Sequence, residues 1–177
     1  MDYAISLIGI SYSFFNEKEH EPPSRDKDEA PFWIGSPGAH LLPPRDTLEK
    51  SGMCCVGMIN LVRRYLNLSI PECYDNNNIL CVGGTFAWFK YLKTQERLEK
   101  IDYTISYPQG TLLLQDYNPQ DQGHVALVCD IYDTLSQSKI IHSQGIGEKK
   151  CVMIETLADS EKGFRYTHCC RDFLTVD

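Results

Sequence analysis

The chain has 177 residues, 42% hydrophobic and 23% charged, values close to the globular average and unlike those of a disordered segment. That length suits one domain able to bury its own core and excludes two large ones. A formal net charge of -7 lacks the excess of Lys and Arg that phosphate backbones or anionic lipid select, so neither nucleic acid nor membrane is an expected partner.

The nearest basic cluster, Arg63 and Arg64, is flanked by apolar residues and reads as the solvated edge of a helix. No apolar run approaches the roughly 20 residues needed to span a bilayer. The opening MDYAISLIGISYSFF resembles a secretory signal in apolarity only. Asp2 stands where positive charge belongs, and acidic residues follow in place of a small-residue cleavage site. Eight cysteines would allow four disulfides. Cys54, Cys55, Cys129, Cys169 and Cys170 lie within apolar, element-like segments, and two of these sites are adjacent pairs. Free thiols in the cytoplasm or another reducing compartment are therefore expected, with a virion or secreted-effector setting left open. No CxxC pair is present, and the spacings fit no common zinc template.

In chain order, Tyr3, Ile5, Leu7, Ile8 and Ile10 form a stripe that predicts a short helix within 3–15, its end blurred by Gly9. From Asn16 to Pro44 six of the nine prolines interrupt a charged, Gly-containing stretch, which predicts a loop or ordered insertion. Phe32, Trp33 and Ile34 would pin it to the body, and loops of such length often edge a binding site. Cys55, Met58 or Ile59, Val62, and Tyr65 or Leu66 recur at helical spacing and predict a helix over about 53–66. Pro71 rules out a long continuation. A second helix, over 85–92, is predicted to serve packing alone.

The second half reads as strands. Runs at 111–115, 124–132, 139–142 and 151–157 are β-rich and separated by turn residues, and 164–169 adds a closing strand. Their short connections favour an antiparallel meander, so the expected class is α+β, with N-terminal helices packed on an antiparallel sheet.

A cysteine nucleophile needs access to its thiolate, and the first turn of a helix offers unpaired N–H groups that favour negative charge. Cys55 occupies such a turn, with Gly57 leaving room nearby for other segments. The same position equally suits a small apolar residue facing the core. His124, in QGHVALVCDIY, opens a strand after a turn, where an imidazole can be held rigidly as general base. A buried structural His fits there too. A third polar group must orient that imidazole. His142, at the end of the next strand, is favoured over His168 and Asn118. Asp130 lies about 20 Å along the strand from His124 and is too distant. His20 and His40 fall in the insertion as spectators. Cys55, His124 and His142 have the ligand types of a catalytic zinc site, but thiol chemistry needs no metal, and no cofactor is expected.

These strings resemble the NlpC/P60 family of papain-like cysteine peptidases and amidases. CCVGMI at 54–59 is similar to the family's D-C-S-G motif around the nucleophile. GTLLL at 110–114 resembles its G-D-L strand, GHVALV at 123–128 its G-H-V base motif, and Ile141–Ser143 its H-A-S segment. LIGISY at 7–12 is similar to its L-G-x-P-Y helix end. The resemblance runs in order over about residues 3–157. It implies one papain-like NlpC/P60 domain across 1–177, with the Pro-rich insertion at about 16–44. It also implies that Cys55 is the nucleophile, His124 the base, His142 the third residue, and Tyr12 a donor near the oxyanion. Cys54 and Val56 depart from the family's Asp and Ser, and the insertion is longer than usual.

The implied activity is hydrolysis of a peptide or amide bond, with cell-wall peptides containing D-glutamate and diaminopimelate as the leading substrate class. A protein- or small-molecule-directed thiol hydrolase or acyltransferase of an effector or virus uses the same residues. A noncatalytic virion or binding module is the other alternative. Oligomeric state is not encoded in any of these features.

Overall fold

The computed structural model describes residues 1–13, 42–74, 80–82, 85–115, 123–145, 148–160, 162 and 164–175. The predicted insertion lies outside them except at Leu42–Pro44, as do His20, His40 and Asn118.

The strongest helical period forms α3 (Cys55–Tyr65), which is the axis of the core. A helix of 11 residues is marginal alone in water, so packing must hold it. Every residue from Cys55 to Arg64 is buried. Met58, Ile59, Leu61 and Val62 are at most 1% exposed, each contributing roughly 1.5–3 kcal/mol by leaving water. The polar members of this helix find internal partners: Trp88 Nε1 donates to Asn60 Oδ1 at 2.8 Å.

Arg63 corrects the expectation of a solvated basic edge. It is 1% exposed, donates from Nε to the Ser69 carbonyl at 2.9 Å and from Nη1 to the Phe173 carbonyl, and lies over the Trp88 and Phe173 rings. Arg64 is also buried. A planar guanidinium tolerates burial when its fork meets carbonyls and its faces meet rings.

Around α3 the chain adds α1 (Asp2–Ser6), α2 (Arg45–Ser51), α4 (Thr85–Thr94) and α5 (Leu157–Ser160). A two-stranded antiparallel sheet joins β1 (Glu72–Tyr74) to β2 (Leu80–Val82). The main sheet contains β3 (Glu99–Lys100), β4 (Leu112–Leu114), β5 (Val125–Asp130), β6 (Lys139–Ser143), β7 (Val152–Thr156) and β8 (His168–Cys170). Its order is β3-β8-β4-β5-β6-β7, antiparallel throughout. The architecture is thus α+β, with N-terminal helices and a multi-stranded antiparallel sheet.

Period-two alternation splits the sheet's residues between two apolar layers. Val125, Leu127, Ile141 and Val152 pack with α3, whereas Leu113, Ala126, Val128 and Ile140 pack with Tyr107, Leu135, Leu157 and Tyr166. Two expectations shift. The predicted closing strand is β8, which inserts between β3 and β4 instead of closing an edge. Helix α1 stops at Ser6, because Gly9 turns at φ 88° and the chain then runs extended beside β7. There Gly9 N donates to Val152 O, Val152 N to Ile10 O, and Tyr12 N to Lys150 O.

Candidate active site

The N-terminus of α3 is built by two adjacent thiols. Cys54 is the N-cap at φ -84° and ψ 175°, and its sulfur accepts from Gly57 N at 3.4 Å, the position where Ser or Asp commonly caps. Cys55 follows as the first helical residue, 8% exposed. Burial pushes its thiol up, reinforced by Cys54, while the N–H groups of Val125, Val56 and Cys55 itself pull it down; the outcome is about 12. Burial therefore outweighs the helix N-terminus, correcting the expectation that this position eases ionisation. The expected space at Gly57 is also corrected, since a methyl group there would meet Met53 Cβ and Cys54 Sγ at ordinary distances of 3.6 and 3.7 Å.

The Val125 N–H that lowers the Cys55 thiol belongs to the first residue of β5, one residue beyond His124. His124 is placed by backbone that only glycine fits. Gly123 has φ 72°, and a Cβ there would stand 2.8 Å from Thr85 Cγ2 and 3.1 Å from Gln115 O. Gln115 N then donates to the His124 carbonyl at 2.8 Å. The imidazole stacks on Phe164, with ring centroids 3.6 Å apart and planes 13° apart. Its Nε2 lies 2.8 Å from His142 Nδ1. This pairing arises because Leu127 faces Ile141 across β5 and β6, which sets His124 and His142 diagonally on one face.

His142 has no exposed side-chain surface, and its second nitrogen, Nε2, lies 2.9 Å from Glu155 Oε1 on β7. The contact is close but forms no directed hydrogen bond. Burial lowers His142 to about 4, and burial followed by His142 drives His124 well below its ordinary value. Burial, with Asp159, raises Glu155, opposed by Ser160 and Lys162. Near neutral pH the His142–Glu155 contact is therefore a neutral imidazole against a carboxyl group, not a pair of full charges.

Tyr12 approaches the two thiols. Burial raises its phenol first, then Cys55 and Cys54 add to the shift. Its ring needs Gly145, where a Cβ would come within 2.6 Å of Tyr12 Cε1.

Of the predicted set, His124 and His142 are in direct contact, the Val125 amide beside His124 lowers the Cys55 thiol, and Cys55 and Cys54 raise the Tyr12 phenol. A direct Cys55–His124 hydrogen bond is not among the interactions of the described residues. His168 belongs elsewhere, with Nδ1 2.9 Å from Thr167 Oγ1 and its ring edge-on to Phe89. Asp130 pairs with Lys139 at 3.4 Å. Among the described residues, no group of three or more His, Cys, Asp and Glu side chains is arranged to hold a metal ion, and no helix is long and apolar enough to cross a membrane.

Sequence reasoning missed Glu155 and Phe164. For Glu155 a signal existed, an acidic residue inside the β-rich run CVMIETL, but its alignment with His142 depends on register. Phe164 carries no local signal, because its contact with His124 is made across the fold.

A buried thiol and a buried imidazole that both favour their neutral forms suit general-base activation, in which the proton moves as the thiol attacks, more than a standing thiolate–imidazolium pair. Comparison with known proteins finds no matching family model, no matching curated protein and no matching solved structure.

Proposed function

We propose that this chain is a cysteine hydrolase that cleaves an amide bond, on a papain-like scaffold of the NlpC/P60 type. The observation that carries the reading is the His124 Nε2 contact with His142 Nδ1 at 2.8 Å. It engages one imidazole nitrogen, and in this reading the other, Nδ1, serves the Cys55 thiol, whose ionised form the amide of the next residue, Val125, favours.

In the reaction, His124 Nδ1 takes the Cys55 proton as sulfur bonds to the substrate carbonyl carbon. The resulting oxyanion is met by the Cys55 N–H and the Tyr12 hydroxyl, where a well-placed donor is worth about 3–4 kcal/mol. Collapse breaks the C–N bond, and the amine leaves with the proton held on His124. Water then attacks the thioester, gives its proton to His124, and releases the acid and the thiol.

The motif resemblance makes cell-wall peptides with D-glutamate and diaminopimelate the leading substrate class. A protein or small-molecule amide is a second reading, favoured by Cys54, Cys55, Cys129, Cys151, Cys169 and Cys170, which are free thiols. The test compares the native chain with Cys55→Ala on peptidoglycan fragments, isopeptide substrates and acyl esters, with intact-mass detection of the thioester. Hydrolysis of one class, lost in Cys55→Ala, is expected. Undiminished hydrolysis by Cys55→Ala, or no turnover of any class by the native chain, overturns the proposal.

A further inference from the structure

Two imidazoles in series can relay a thiol proton in only one arrangement of their hydrogens. For His124 to accept through Nδ1, its Nε2 must carry hydrogen and donate to His142 Nδ1. His142 must then carry its own hydrogen on Nε2, which faces β7. Glu155 stands there, Oε1 at 2.9 Å.

We infer that Glu155 is a positioning residue of this site, whose carboxylate holds His142 as the Nε2–H tautomer and thereby keeps His124 Nδ1 bare for the Cys55 thiol. The inference rests on the hydrolase reading and deepens it.

Three observations support it. The β6–β7 register pairs Ile140 with Glu155 and His142 with Met153, placing Glu155 diagonally beside His142 on the face that carries His124. The two side chains are 0% and 14% exposed, so water does not readily replace the contact. Among the described residues, neither His142 Nε2 nor Glu155 Oε1 has a directed hydrogen-bond partner. A polar atom left buried and unsatisfied is costly, and each of these two is the group in place to relieve the other.

Other charged and polar groups bracket the pair. Ser160 and Lys162 favour the carboxylate and Asp159 opposes it. On the far side, His142 meets His124 and the edge of the Phe164 ring system at 6.0 Å. A protonated Glu155 would instead donate to Nε2, reverse both tautomers and leave His124 Nδ1 occupied by hydrogen. The two states differ in a directly observable way.

The test uses the full chain with 15N-labelled histidine, reading the imidazole nitrogens by NMR in the native protein, Glu155→Gln and Glu155→Leu. Near-UV circular dichroism confirms that each is folded. In the native chain His142 is expected with hydrogen on Nε2 and an acceptor Nδ1. Glu155→Leu should lose that preference and slow iodoacetamide labelling of Cys55 at neutral pH by about tenfold, as loss of an orienting partner commonly does. Glu155→Gln, which keeps a carbonyl acceptor, should retain the tautomer. Hydrogen on His142 Nδ1 in the native protein overturns the inference. So does a tautomer and labelling rate indifferent to Glu155→Leu, even when Cys55→Ala abolishes turnover and the hydrolase reading survives. Normal turnover by Cys55→Ala with a Glu155-dependent tautomer refutes the hydrolase and leaves the His142–Glu155 arrangement standing.

Discussion

Ser143 Oγ donates to the Met53 carbonyl at 2.7 Å, and this buried bond ties the strand that carries His142 to the turn that presents Cys55. Met53 N in turn donates to Ser11 O at 2.9 Å, so the segment bearing Tyr12 is held by the same residue. Three parts of the candidate site, remote in sequence, are referenced to the two peptide units of one residue, Met53.

Ser143→Ala should therefore destabilise the fold by about 0.5–1.5 kcal/mol, because it removes the shorter of two bonds to the Met53 carbonyl and leaves only the Ser13 N–H at 3.3 Å. Urea unfolding monitored by tryptophan fluorescence measures this. Hydrolysis should fall more than folding does, since both halves of the site lose a shared anchor. A variant of native stability and native turnover would show that the bond is incidental.

At Gly123, substitution by Ala meets a left-handed backbone and a contact of 2.8 Å with Thr85 Cγ2 at once. The backbone conformation alone costs roughly 1–2 kcal/mol for a residue with a Cβ. A lowered melting temperature is expected, with displacement of the His124 resonances in NMR. Unchanged resonances would argue that β5 begins independently of this turn.

Acid should weaken the fold through the histidines. His142 is lowered to about 4 from an ordinary 6.5, so between those values the unfolded chain binds more protons than the native one. Stability is then fully present above about pH 6.5 and is lost as pH falls toward 4, by up to roughly 3 kcal/mol for this group. His124 is displaced in the same direction and adds to the loss. Urea midpoints across pH 4–7 should show the slope, and His142→Gln should flatten it. An equal slope in that variant would place the titration elsewhere.

Cys54 adds to the upward shift of Cys55 while also capping α3. Cys54→Ser keeps an acceptor for the Gly57 N–H and removes the neighbouring thiolate. The Cys55 thiol should then ionise at lower pH, with faster iodoacetamide labelling at alkaline pH and helix stability retained. Slower labelling would mean that Cys54 assists its neighbour instead of opposing it.

Elements with strong local periodicity were legible in the sequence, and those set by distant packing were not. The spacing of Cys55, Met58, Val62 and Tyr65 marks α3 within two residues at each end. The alternation through VALVCD marks β5, and short turns mark the meander of β4 to β7. Strand β3, Glu99–Lys100, is two exposed residues with no pattern, defined only by pairing with β8. For the candidate site, the order of motifs singled out His124 and His142, and their contact follows from strand register. Burial was illegible, and it reverses the expected ease of ionising Cys55, since a helix terminus is visible in sequence and the layer covering it is not. Arg63 failed for the same reason: its charge and the nearby Ser69 carbonyl are local, whereas the Phe173 carbonyl and the Trp88 and Phe173 rings that cover it come from segments far along the chain.

The antiparallel bridge between Ser11 and Cys151 gives the chain's first dozen residues a duty besides carrying a tyrosine. β7 is the last strand of its sheet, and a terminal strand with open amides and carbonyls invites pairing with a neighbouring molecule. By lying along the start of that strand, the leading segment occupies the groups a second molecule would seek. Trimming it would strip that shield, making self-association a consequence of truncation alongside any loss of chemistry.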